Sequence, residues 1–116
     1  MVGRGLLMNR ITIKEAYENL CNAVVLRAFE DVVDGSVALY RYGREPPKDP
    51  HRIIYVSKLI QDGKRFLMSE RLKDFTEVSG DFILKEAEKK IKYGKECVDL
   101  EFMYREYEKG IYYEEN

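Results

Sequence analysis

The chain has no tryptophan, a single histidine, two cysteines and three prolines, and nowhere an apolar run long enough to span a bilayer. Each scarcity removes a class of function. His51, just past the prolines at a helix start, reads as a solvated side chain, so a Cys–His nucleophile–base pair has poor support. Cys21 and Cys97 lie far apart among apolar neighbours at helical spacing, where free thiols act as small hydrophobes; both are expected to be buried and unpaired. No Cys or His spacing suits zinc, no acidic loop suits calcium, and the glycines form no phosphate-cradling loop. The expectation is therefore no catalytic, cofactor or metal site. The opening Met1–Met8 lacks the apolar stretch of a signal peptide, which points to a cytoplasmic protein.

A large charge of one sign is also missing. Twenty basic residues face 21 acidic ones for a net charge of −1, which leaves no overall footprint for nucleic acid or an anionic membrane. The distribution is less even. Residues 96–116 carry seven acids against Arg105 and Lys109, a local −5, so the first 95 residues carry 18 bases and 14 acids, or +4.

What the chain does have is helix-forming charge and apolar periodicity. Apolar residues make up 45% and charged residues 35% of its 116 positions, the profile of one soluble domain. Thr12 and Glu15 form a capping box. After it Ile13, Tyr17, Leu20, Val24, Ala28, Val32 and Leu39, widened by Cys21, Val25 and Phe29, predict a buried amphipathic helix to residue 42. Gly35 weakens it, and Gly43 is expected to end it as a left-handed cap.

Pro46, Pro47 and Pro50 exclude helix, and Asp49-Pro50 opens the next one, with Ile53, Val56, Leu59, Ile60 and Phe66 inward. Ser69 is expected to cap a short helix burying Leu72 and Phe75. Ser79 or Asp81 caps the last, whose apolar face reads Phe82, Ile83, Ala87, Ile91, Val98, Leu100 and Phe102. Gly94 looks like a weak point within it. The fold expected is an all-α, compact bundle of about four helices over roughly 12–42, 50–67, 69–75 and 80–109. A flexible lead-in (1–11) precedes a helical core (12–95) and an acidic, tyrosine-rich C-terminal helix and tail (96–116).

Two surfaces invite a binding role. Lys85, Lys89, Lys90, Lys92 and Lys95 cluster on one helix, but interleaved glutamates make this a solubilising face, and nucleic acid is disfavoured. A helix-turn-helix across 69–93 would open its recognition helix with Asp81-Phe82-Ile83-Leu84, acidic and apolar where base-reading side chains belong. The C-terminal segment alternates tyrosines with acids. Tyrosine gives large contact area at low entropic cost, so Glu101, Tyr104, Glu106, Tyr107, Glu108, Tyr112 and Tyr113 are the partner-binding candidates.

Asn19–Leu26, the proline loop, Arg65-Phe66-Leu67-Met68-Ser69, Phe75-Thr76 and Ser79-Gly80-Asp81-Phe82-Ile83 follow one another in an order that resembles a family of small helical proteins of Firmicutes phages and mobile elements. Their pattern runs from an Ala-Ile-Val helix through an Asn-Pro loop, an aromatic pair with Arg-Ser, and Leu-Thr, to Asp-Gly before the closing helix. The chain departs from it at Leu67, Met68 and Ser79, and the likeness covers roughly residues 17–92. It implies a mobile-element origin and an accessory role inside a bacterial host, with no catalytic residues to carry over. Together with the acidic arm, it gives the expectation of a non-enzymatic inhibitor of a bacterial defence system, of the anti-CRISPR type, bound to a host or defence protein with a basic surface. A DNA-associated regulatory protein and an oligomeric nucleotide sponge are the alternatives, and homo-oligomerisation stays open.

Overall fold

Three α-helices and one 3-10 turn make up the computed structural model, which describes residues 12–114 and the side chains of 12–110. The helices are α1 (Ile13–Tyr42), α2 (His51–Leu67) and α3 (Gly80–Glu114), and the turn is Glu70–Asp74. The architecture is all-α, and the fourth helix expected over 69–75 is that single turn. The expected lead-in, residues 1–11, lies outside the described residues.

Local chemistry sets most of the boundaries. Thr12 accepts from the Glu15 N–H at 3.0 Å while the Glu15 carboxylate accepts from the Thr12 N–H at 3.4 Å, closing the expected capping box. Asp49 accepts from the His51 N–H at 3.0 Å ahead of α2. Ser79 accepts from the Phe82 N–H at 3.2 Å at the start of α3.

Two expected caps differ. Gly43 is right-handed (φ −64°, ψ −25°), because the chain winds further, with the Arg44 and Glu45 N–H groups both donating to the Arg41 carbonyl. Pro46 and Pro47 then stop it, so no left-handed residue is needed. Ser69 does not cap the 3-10 turn: its hydroxyl donates backwards to the Phe66 carbonyl at 2.7 Å, satisfying the end of α2 instead.

The helices run up, down and up. Ala28 and Val32 of α1 meet Leu67, Leu72, Ile83 and Ala87 in one core cluster, while Val37 approaches Gly94 and Tyr40 reaches Asp99. Thus α1 and α3 are parallel, with α2 antiparallel to α1. Glycine marks the tightest approaches. A Cβ on Gly63 would stand 2.8 Å from the Ala28 carbonyl oxygen, and one on Gly94 would stand 2.5 Å from Val37 Cγ2. Gly94 therefore lies inside an unbroken helix, where it lets α3 press against α1, and not at a weak point.

The bundle is elongated. Its extents are 67 × 43 × 27 Å, and its radius of gyration is 20.4 Å against about 13 Å for a compact domain of this length. The cause is the stagger of two long helices around a short one, which leaves both ends of the apolar pattern uncovered. Ile13 is 91% exposed, and Tyr17 and Leu20 are also exposed, because α2 and α3 do not reach back along the first turns of α1. Ile53, Phe82 and Leu100, each expected inward, are exposed as well. Among the described residues no helix is long and apolar enough to cross a membrane.

Candidate binding ridge on the third helix

Helix α3 carries two apolar stripes. Ala87, Ile91, Gly94, Val98 and Phe102 recur at steps of three and four and lean on α1 and the core. Tyr93, Cys97, Leu100, Tyr104 and Tyr107 recur at steps of 4, 3, 4 and 3, about 140° away around the helix at 100° per residue. The inner stripe holds mainly small residues. The outer one holds bulky residues and is open to solvent: Leu100 is 61% exposed and Tyr107 63%, with Tyr93, Cys97, Met103 and Tyr104 alongside. Over about 21 Å of helix this ridge is uncovered among the described residues. A hydrogen bond with Cys97, one turn on, holds the Tyr93 phenol above its ordinary value.

The acids of the C-terminal segment divide into two sets. Glu101 is engaged within the chain, paired with Arg41 at 2.6 Å and with Arg105 at 2.9 Å. Asp99 receives Arg44 at 2.5 Å and the Tyr40 hydroxyl at 2.6 Å. Around them Arg44 lies over the Tyr40 and Phe102 rings, Arg105 lies over Phe102 and pairs with Glu45, and Lys95 lies over Tyr40. This is a clamp fastening the end of α1 to the middle of α3, and it consumes two of the seven acids counted in the sequence. Of the other five, Glu96, Glu106 and Glu108 have described side chains, and those of Glu114 and Glu115 lie outside the described residues. Among the described residues Glu96 and Glu108 make no ion pair, and Glu106 makes only a loose one, 3.8 Å from Lys109.

Of the sequence candidates, Tyr104, Glu106, Tyr107 and Glu108 are thus exposed on α3, whereas Glu101 faces α1. The side chains of Tyr112 and Tyr113 lie outside the described residues. Sequence reasoning missed Leu100 and Cys97. Hydrophobic periodicity puts Leu100 in the core and Cys97 among the buried thiols, but of the three only Cys21 is buried. The signal that finds them is phase: they fall on the register of Tyr93, Tyr104 and Tyr107, not on that of Ala87 and Val98.

The Tyr40–Asp99 bond makes the clamp sensitive to alkali. Donation to Asp99 raises the Tyr40 phenol above its ordinary 10.0. A proton held more tightly in the folded chain stabilises it fully below about pH 10, and that contribution fades as pH rises through the folded-state value. Wild type should therefore out-melt Tyr40→Phe at pH 7–9, and the gap should close above pH 10. A gap constant with pH would show that the folded chain holds the Tyr40 proton no more tightly than the unfolded one.

His51 is exposed beside Asp49, and among the described residues no group of three His, Cys, Asp or Glu side chains could hold a metal ion. The groove between α1 and α2 mixes Glu30, Asp31 and Asp34 with Arg27 and Arg52 and is open to solvent. No protein-family model, curated protein or solved structure matches the chain.

Proposed function

We propose that the protein is a non-enzymatic accessory of a mobile element that acts by binding another protein through the outer ridge of α3. The form of this activity we favour is inhibition of a bacterial defence system, of the anti-CRISPR type. One observation carries the reading: among the described residues an apolar, tyrosine-rich helical face stands uncovered and is flanked by Glu96 and Glu108, acids with no ion pair. Tyrosines of this kind are typical anchors of protein interfaces, and unpaired acids at the rim favour a partner with a basic surface. A nuclease's nucleic-acid channel has such a surface, and occluding it needs no chemistry from the inhibitor.

Tyr104 and Tyr107 are solvent-exposed, so the double variant Tyr104→Ala/Tyr107→Ala should fold and melt like wild type. At about 2 kcal/mol per interface anchor, it should bind its partner at least ~100-fold more weakly. The measurement is inhibition of purified CRISPR-associated nucleases by wild type and variant. Equal inhibition by both would overturn the ridge as the binding face, and no inhibition by wild type would overturn the anti-CRISPR form of the reading.

A further inference from the structure

We infer that the outer ridge of α3 also takes a second copy of this chain, helix against helix and antiparallel, forming a closed two-fold dimer. The inference rests on the ridge described above as the binding face, but not on the identity of any other partner.

Three observations converge on a second copy. The first is spacing. Tyr93, Cys97, Leu100, Tyr104 and Tyr107 alternate steps of four and three, the 3.5-residue repeat that keeps an apolar seam facing another helix along its length. A flat surface makes no use of that repeat.

The second is charge. Before the ridge α3 carries Lys85, Lys89, Lys90 and Lys92 with Asp81, Glu86 and Glu88, a slight basic excess, while Glu96 and Glu108 flank the ridge itself. A parallel pair in register brings the lysine clusters of the two copies together, whereas an antiparallel pair with its two-fold near Phe102 carries them to opposite ends.

The third is area. Three tyrosines offer ~150–250 Å² each when fully covered. With Leu100, Met103 and Cys97 they can remove roughly 600 Å² per copy, and a pair then passes the ~1,000 Å² that a specific interface needs. A two-fold arrangement uses the same patch on both copies, so it closes at two and leaves no ridge for further growth. It also leaves the Tyr40–Asp99 clamp untouched on the opposite side of the helix. Self-pairing would cover Tyr104 and Tyr107, so another protein seeking the ridge has to displace the second copy.

The test is sedimentation equilibrium of the full chain up to about 100 μM, where a dimer of micromolar affinity is fully populated. Wild type should dimerise. Leu100→Glu should weaken self-association at least ~30-fold while keeping the helicity of wild type, because Leu100 is 61% exposed and outside the buried core. Orientation is read by disulfide trapping in a Cys21→Ala background. Antiparallel pairing with the two-fold near Phe102 brings Cys97 opposite position 107 of the other copy, so Tyr107→Cys should trap a covalent dimer rapidly while Cys97 alone should not.

A chain monomeric at 100 μM overturns the inference. So does a dimer indifferent to Leu100→Glu, and rapid Cys97–Cys97 trapping overturns the antiparallel arrangement. The two readings fail separately. A dimer that inhibits no nuclease leaves the pairing standing, and a monomer that inhibits one leaves the proposed function standing.

Discussion

Replacing Gly80 by Ala is expected to destabilise the fold by about 3 kcal/mol, against the usual gain from removing a helical glycine. Gly80 is the first residue of α3 and lies directly against the end of α2. A Cβ there would overlap the Leu67 carbonyl oxygen and stand 3.3 Å from Leu72 Cδ2. A side-chain clash can be relieved by a rotamer change. A clash with a carbonyl that ends a helix moves the helix, and with it Leu67 and Leu72, two of the best-buried side chains in the core.

The same logic gives a smaller loss at Gly63, where the obstacle is the Ala28 carbonyl at 2.8 Å. At Gly110 nothing lies within 4 Å of the new Cβ, so Gly110→Ala should be neutral or stabilising by up to ~1 kcal/mol. Urea unfolding followed by far-ultraviolet dichroism measures all three. If Gly80→Ala and Gly110→Ala had equal midpoints, the corner between α2 and α3 would not be as tight as described.

These glycines show what was legible in the sequence and what was not. Helix starts could be read, because a capping box and an Asp-Pro pair are local chemistry: Thr12, Glu15 and Asp49 do what their positions predict. The glycines could not. Gly63 and Gly94 look like weak points along one helix, and only the position of the neighbouring helix turns them into contact points.

The candidate site was half legible for a related reason. Composition marks the tyrosine-rich arm, but a net charge does not distinguish free acids from paired ones. Asp99 and Glu101 are claimed by Arg44 and Arg41, which reach them only because the chain winds past Gly43 before the prolines stop it. Periodicity fails in the same place. With two apolar stripes on α3, no count of hydrophobic residues says which faces inward, and here the small residues Ala87, Gly94 and Val98 do so while the larger Leu100 and Tyr104 do not.

Residue size misleads again at the corner between α2 and α3, where it yields the second large prediction. Phe82 reads from the sequence as a lock between helices, and Leu67 draws no attention beside Phe66. The structure reverses them: Leu67 is 1% exposed and Phe82 57%. Leu67 ends α2 beneath Leu72 and Ala87, with the edge-to-face pair of Phe66 and Phe75 at 5.3 Å closing the side. Leu67→Ala leaves a void that a three-helix corner cannot collapse to fill, because the Leu67 backbone is itself pinned against Gly80. A loss in the upper part of the 2–5 kcal/mol range follows, enough to lower the melting temperature by roughly 15 °C. Phe82→Ala removes a ring that borders the open groove of Leu26 and Phe29, and the cost should stay within about 0.5 kcal/mol. Thermal melts of the two variants decide it, and a Phe82→Ala loss equal to that of Leu67→Ala would mean that the ring is covered in solution.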